Sequence, residues 1–90
     1  TLDDYLRIIQ EYSDSEYEHV RKAISWALRE IGKKDFTYNE KAILLAYELK
    51  ESGNKNKMWI AKDALKELET LVKVEGRGRL ISSNSKMGRE

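Results

Sequence analysis

Apolar and polar residues alternate along this chain with the period of an α-helix. The clearest example lies between Val20 and Gly32, where apolar residues recur three or four positions apart. Each residue turns a helix by about 100°, so this spacing places them on one side. The apolar positions of this stripe are Val20, Ala23, Ile24, Ala27, Leu28 and Ile31. We therefore expect a helix here whose stripe faces a hydrophobic core.

The same rhythm predicts four helices in all. In chain order the first covers roughly residues 2–12, the second runs from N-cap candidates and early acids within 13–16 to about Gly32, and the last two cover roughly 37–53 and 56–74. Thr37 and Glu40 fit a capping box that opens the third helix, and Gly76 is expected to end the fourth. No segment alternates with the period of two that marks a half-buried strand. The sequence therefore predicts an all-α fold.

The two predicted helical pairs also repeat. An offset of 37 residues lays Ala27–Ile31 onto Ala64–Leu68, and helix-pair solenoids have units of about 34–47 residues. We therefore predict two antiparallel helical hairpins of an α-solenoid with HEAT-like repeats. The hairpins cover residues 1–33 and 37–75. A four-helix bundle whose segments share only a helical rhythm is the alternative.

The third helix indicates that this pair of hairpins is not the whole array. Ile43, Leu44 and Tyr47 lie away from the main apolar stripe of that helix, and a helix that is apolar on most sides is buried from several sides. Solenoids generally need three or more repeats for stability. We therefore expect upstream repeats of a longer chain to pack against this segment.

The amino-acid composition excludes several kinds of active site. The 90 residues include no cysteine and one histidine, which excludes disulfides and thiolate catalysis and argues against a zinc site. No apolar run approaches the ~20 residues of a membrane span, and no secretory signal is visible. We expect a cytoplasmic protein with no membrane partner, no metal and no cofactor. Residues 76–90 are rich in Gly, Ser and cations and are predicted to be a basic flexible tail, with a phosphate-holding arm as the alternative.

Cations and tryptophans share the faces that lie opposite the predicted core. On the second helix, Lys22, Trp26 and Arg29 are stacked at i, i+4 and i+7. Equivalent helices of neighbouring solenoid repeats lie side by side, so the two faces are expected to join. The candidate DNA-binding surface then comprises Lys22, Trp26, Arg29, Lys33, Trp59, Lys62 and Lys66. The alternative is that the charges only solvate an outer face and that both tryptophans pack under loops.

No catalytic residue emerges from the residues alone. The chain has no Gly-rich phosphate loop, no nucleophile elbow and no pair of facing carboxylates. Asp63 follows Trp59 by one helical turn, and we interpret it as an ion-pair partner of Lys62 or Lys66. His19 is interpreted as a surface or packing residue.

The run His19–Lys33, with its Lys-Ala-Ile-Ser-Trp-Ala-Leu-Arg-Glu core, resembles the signature of the DNA alkylation repair enzyme family. These are HEAT-like DNA glycosylases that remove alkylated purines. A weaker resemblance covers Trp59–Leu68, and together the two matches span roughly residues 17–72. The resemblance implies helix pairs whose cationic concave face wraps duplex DNA with alkylated bases. It also implies hydrolysis of the N-glycosidic bond of a cationic alkylpurine without a cofactor.

The resemblance also assigns residues. Trp26 matches the tryptophan of the family that lies against the DNA backbone at the lesion, and Lys22 and Arg29 match neighbouring cations. The catalytic aspartate of the family and a DNA-holding arginine lie in earlier repeats and have no counterpart here. We therefore expect a DNA-binding C-terminal segment of such a protein. One alternative is a HEAT-like scaffold that binds another protein. Another is an enzyme that is complete in 90 residues.

Overall fold

The computed structural model describes residues 1–83, which form four α-helices followed by a short antiparallel β-hairpin. The helices are α1 (Leu2–Tyr12), α2 (Glu18–Gly32), α3 (Phe36–Lys50) and α4 (Lys55–Leu68). The strands are β1 (Leu71–Val72) and β2 (Ile81–Ser82), with Leu71 opposite Ser82 and Val72 opposite Ile81. The predicted all-α fold is confirmed apart from this small hairpin. No helix within residues 1–83 is long and apolar enough to cross a membrane.

The third helix starts at a different cap from the predicted one. Asp35 has an extended backbone, and its carboxylate accepts a hydrogen bond of 2.9 Å from the backbone N–H of Tyr38. This satisfies one of the free amides of the first turn. The predicted capping box of Thr37 and Glu40 is therefore wrong, because Thr37 already lies inside the helix.

The fourth helix ends at Leu68 rather than near Val74. The backbone N–H and the hydroxyl of Thr70 both donate to the carbonyl oxygen of Glu67, at 2.9 and 2.8 Å, and close the last turn. The chain then becomes extended, which suits the β-branched valines that follow, and Leu71 is buried. The second hairpin of the sequence prediction, residues 37–75, is therefore too long at its end.

The predicted flexible tail is also partly wrong. Leu80 is only 1% exposed, and its backbone N–H donates to the carbonyl oxygen of Lys33 over 2.6 Å. Burial of this leucine offsets the conformational entropy lost on ordering the segment. Leu80 thus packs against the helices and residues 81–82 pair with β1, while residues 76–79 remain exposed. Residues 84–90 of the predicted tail lie outside the described part of the chain.

The hydrophobic core lies where α2 rests on α3 and α4. Its buried members are Ile9, Leu28, Ile31, Ala42, Leu45, Ala46, Leu49, Ile60, Ala61, Ala64, Leu65, Leu68, Leu71 and Leu80. Alanines on α3 and α4 keep these helices close together. Helix α1 supplies only Ile9 to the buried set and is the least embedded helix. The core stripe predicted for α2 is therefore correct in part, since Leu28 and Ile31 are buried but Ala23 is exposed.

Equivalent helices of the two pairs lie side by side. Helix α1 lies beside α3, and α2 lies beside α4. Five side-chain hydrogen bonds cross between these neighbours. Four of them join residues 38 positions apart, namely Asp3 with Lys41, Gln10 with Glu48, Ser25 with Asp63, and Arg29 with Glu67, and the fifth joins Arg21 to Asn56. These contacts tie the first pair of helices to the second.

Candidate nucleic-acid interface

Trp26 is the most prominent exposed side chain of α2. Its side chain is 60% exposed although it lies in the middle of the helix. Lys22 lies one turn earlier and pairs with Glu18 over 3.2 Å, with both side chains exposed. Such a surface pair restrains Lys22 weakly. The indole therefore stays available for contact with a partner, and its orientation agrees with the sequence pattern.

A partly buried side-chain hydrogen bond joins α2 to α4 next to Trp26 in the sequence. Ser25 is completely buried, and its hydroxyl donates a hydrogen bond of 2.6 Å to Oδ2 of Asp63. The interpretation of Asp63 as a partner of Lys62 or Lys66 is therefore wrong. The reason is positional, because Ser25 and Asp63 occupy the facing sides of adjacent helices.

Besides Lys22, two further predicted DNA-contacting cations have carboxylate partners, and these two are less exposed. Arg29 contacts Glu67 of α4 over 3.5 Å, and Lys33 pairs with both Glu67 and Glu30. The side chains of Arg29 and Lys33 are only partly exposed. These contacts fix both cations in position and compensate part of their charge. They form the end of the surface nearest the β-hairpin.

The two predicted cations of α4 are different. Lys62 and Lys66 are exposed and make no ion pair within residues 1–83. Together with Lys22 they are the cations of the candidate surface that a phosphate reaches at least cost. The structure therefore divides the predicted set into three accessible lysines and two compensated cations.

Trp59 lies in a separate cleft rather than beside Trp26. The guanidinium carbon of Arg21 is 5.6 Å from the centre of the Trp59 ring, within the range of a cation–π contact. Arg21 also donates from one nitrogen to the carbonyl oxygens of Glu16 and Ser15, at 2.7 and 3.2 Å. An open cleft of about 520 Å³ surrounds this pair. Trp59 thus braces the start of α2 against α4.

Sequence reasoning missed Arg21 and Ser25. Both lie on the side of α2 that carries Leu28 and Gly32, at the i, i+4, i+7 and i+11 spacing of one helix face. A stripe that mixes polar and small residues in this way indicates a helix face packed closely against a neighbour. That signal was present in the sequence but was weaker than the apolar stripe next to it.

An apolar groove opens on the other side of Trp26, between α1 and α2. Its volume is about 540 Å³, and hydrophobic side chains dominate its lining. The lining residues are Leu2, Tyr5, Ile8, Ile9, Tyr12, His19, Val20, Ala23, Ile24, Trp26, Ala27, Glu30 and Ile31. Trp26 therefore stands between a cationic face and an apolar one.

Comparison with known proteins identifies a family that the chain matches. A family model described as DNA alkylation repair enzyme matches residues 1–68, which include all four helices. Comparisons with curated proteins and with solved structures gave no significant match. Within residues 1–83, no group of three or more His, Cys, Asp or Glu side chains is arranged to hold a metal ion.

Proposed function

This chain belongs to the DNA alkylation repair enzyme family, and we propose that it is a DNA-binding segment of a glycosylase-like protein, from the C-terminal part of that protein. The observation that carries the proposal is the exposed indole of Trp26 on α2, with Lys22 one turn away. Lys62 and Lys66 project from α4, the helix that lies beside α2.

Such a surface suits a phosphate backbone. Lysines that contact phosphates release condensed counterions, so the affinity falls as the salt concentration rises. An exposed indole adds apolar contact with sugars or stacking on an accessible base, worth about 1–3 kcal/mol per stacked base. The three accessible lysines provide the first contribution, and Trp26 provides the second.

In the complete protein we propose that the reaction is hydrolysis of the N-glycosidic bond of a cationic alkylpurine. The positive charge on the damaged base makes it a good leaving group, so no metal or organic cofactor is invoked. Asp63 is not assigned as the catalyst, because its carboxylate accepts the Ser25 hydroxyl and joins two helices. We propose that this segment positions the DNA, while the catalytic aspartate is supplied by an earlier repeat.

The test follows the two indole N–H signals by proton–nitrogen NMR during titration with a short duplex containing an abasic-site mimic. We expect the Trp26 signal and the amides around Lys22 to shift, and the shifts to fade with added salt. Trp26→Ala is expected to weaken DNA binding. Phe36→Ala, which removes a similarly exposed aromatic ring from α3, is expected to leave DNA binding unchanged. A folded chain whose spectrum does not change at low salt contradicts DNA binding and favours a protein-binding scaffold.

We also propose that the two helical pairs belong to a HEAT-like array with further helices in front of α1. The offset of 37 residues places the groove-lining Tyr5, Ile8 and Tyr12 of α1 on Ala42, Leu45 and Leu49 of α3. In α1 these side chains are 60%, 49% and 60% exposed, whereas their counterparts in α3 are 0%, 8% and 2% exposed.

The difference has a structural cause. Helix α2 covers the space between α3 and α4, and no described element covers the matching space between α1 and α2. Repetition of the same arrangement calls for an amphipathic helix that precedes α1 as α2 precedes α3. Upstream repeats of the same polypeptide are therefore the proposed occupant of the groove.

The groove makes this second proposal testable on the 90-residue chain. An uncovered apolar surface of this kind is expected to bind an environment-sensitive dye and to promote self-association. Ile8→Ser is expected to reduce both effects, while Leu44→Ser, on an exposed position of α3 outside the groove, is the matched control. A chain that is monomeric, binds no dye and melts cooperatively contradicts the proposal.

A further inference from the structure

The β-hairpin lies beyond the part of the chain that matches the family, residues 1–68. It is nevertheless fastened to the end of α2. Leu80 is buried, and its backbone N–H donates to the carbonyl oxygen of Lys33 over 2.6 Å. The turn between the strands carries three cations and one acid, namely Lys73, Arg77, Arg79 and Glu75. The hairpin therefore places positive charge at a defined position beside α2.

Arg79 reaches the side of α2 that carries Trp26. Its NH2 group donates to Oε1 of Glu30 over 2.9 Å, and Glu30 follows Trp26 by four positions. Residues four apart lie one above the other on a helix face. The guanidinium of Arg79 therefore lies in line with Lys22 and Trp26, one turn further along α2.

The contact with Glu30 leaves hydrogen-bond donors of Arg79 unused. A guanidinium carries five N–H donors, and within residues 1–83 Arg79 uses its NH2 group to donate to Glu30. The side chain remains 52% exposed. Donors thus remain available to a phosphate that approaches along α2, in the planar geometry that suits phosphate oxygens.

The charges around Glu30 do not balance. Three cations, Arg29, Lys33 and Arg79, share two carboxylates, those of Glu30 and Glu67. The network therefore retains one positive charge. A network that served only to clamp the hairpin would need no surplus, whereas a surface that receives a phosphate would use one.

We propose that the β-hairpin is a second DNA-contacting element, in which Glu30 positions Arg79 to bind a backbone phosphate next to Trp26. The inference rests on the proposed function, because it assumes that the Trp26 side of α2 faces duplex DNA. It extends that surface to a segment outside the family match. Glu30 acts as a positioning residue and Arg79 as the phosphate ligand.

Two substitutions test whether Arg79 contacts DNA or only attaches the hairpin to α2. Arg79→Gln and Glu30→Gln both break the same ion pair, but only Arg79→Gln removes the cation. The affinity of each variant for a short duplex is measured over a range of salt concentrations, with thermal melts to check folding. Arg79→Gln is expected to weaken binding by several-fold at low salt and to lower the salt slope by about one. Glu30→Gln removes the positioning contact but leaves the cation in place, so it is expected to weaken binding less than Arg79→Gln and to leave the slope unchanged or steeper.

Equal effects of the two substitutions on binding would overturn the inference, because they would mean that only the clamp matters. Lys66→Gln separates this failure from failure of the proposed function. If the unaltered chain binds DNA and Lys66→Gln lowers the slope while Arg79→Gln does not, the hairpin is not a contact element. If the unaltered chain shows no salt-dependent binding, the proposed function itself is wrong.

Discussion

The hydroxyl of Ser25 donates to Oδ2 of Asp63 over 2.6 Å, and this hydrogen bond fastens α2 to α4 inside the candidate interface. Ser25 has no exposed surface, and a buried hydroxyl requires a partner. A carboxylate acceptor gives a shorter and stronger bond than a neutral one. The helix that presents Trp26 is therefore held against its neighbour by a polar contact as well as by the core.

Replacement of Ser25 is expected to loosen this contact. Ser25→Ala removes the donor and leaves a partly buried carboxylate with one acceptor site unfilled, so we expect a loss of about 1–3 kcal/mol in the free energy of unfolding. Urea unfolding followed by circular dichroism measures it. Thr37→Ala, at an exposed position of α3, is the control. A loss no larger than that of the control would show that the hydrogen bond contributes little.

Gly32 is expected to tolerate no side chain. A Cβ there would collide with Cδ2 of Leu68 and lie 3.2 Å from Cβ of Ala42. Leu68 is almost completely buried and has little room to move. Although alanine is the better helix former by about 1 kcal/mol, we expect overpacking to prevail and Gly32→Ala to lower stability by about 1–3 kcal/mol.

Thermal melts provide the measurement for Gly32. Gly78→Ala is the matched control, since a Cβ at Gly78 has no heavy atom within 4 Å and is expected to have little effect. Equal or higher stability of Gly32→Ala would mean that α2 and α4 separate at small cost, which disagrees with the packing described above.

The attachment of the hairpin is expected to depend on pH. The hydrogen bond from Arg79, followed by that from Lys33, holds the pKa of Glu30 below its ordinary value of 4.5. The folded state therefore binds fewer protons than the unfolded state near that pH. The resulting stability is present above pH 4.5 and is lost as the pH falls through the lower pKa of the folded state.

This pH dependence can be assigned to one pair of residues. We expect the melting temperature of the unaltered chain to fall between pH 5 and pH 3, and the fall to be smaller in Arg79→Gln, where the main cause of the shift is absent. Asp4, whose pKa is lowered to about 2 by the terminal amine, Thr1 and Arg7, adds to the fall in both proteins. Identical pH profiles would exclude the Arg79 contact as a source of stability.

The exposed lysines of α4 are expected to govern the salt dependence of DNA binding. Lys62→Gln and Lys66→Gln should each lower the salt slope by about one, with similar effects on unrelated duplexes, because phosphate contacts carry no sequence information. Lys50→Gln alters an exposed lysine of α3, whose amine lies 5.6 Å from the Tyr47 ring. It should leave the slope unchanged. If Lys50→Gln lowered the salt slope and Lys62→Gln and Lys66→Gln did not, the interface would lie on α3.

Much of the fold and part of the site could be read from the pattern of residues. The four helices follow from helical periodicity, because backbone hydrogen bonds and amphipathic spacing depend on residues within a few positions. The exposure of Trp26 follows for the same reason, since its place opposite Leu28 and Ile31 is set by the turn of one helix. The repeat at an offset of 37 residues stays a prediction.

The partners of the polar residues depend on distant parts of the chain. Asp63 neighbours two lysines on its own helix, yet it binds Ser25 of α2, 38 positions earlier. Arg29 and Lys33 were predicted as DNA contacts, but Glu67 compensates part of their charge once α4 packs beside α2. No local pattern carries this information, because the pairing follows from how the helices pack.

The sequence by itself determined that four helices form and that the indole of Trp26 is exposed, since both arise from interactions between near neighbours. Only the tertiary structure decided how the segment after α4 packs. Leu80 is buried against the packed helices, and Arg79 lies beside Glu30, 49 positions earlier. Burial and charge pairing over such separations are properties of the packed molecule, and they turned a predicted tail into part of the candidate interface.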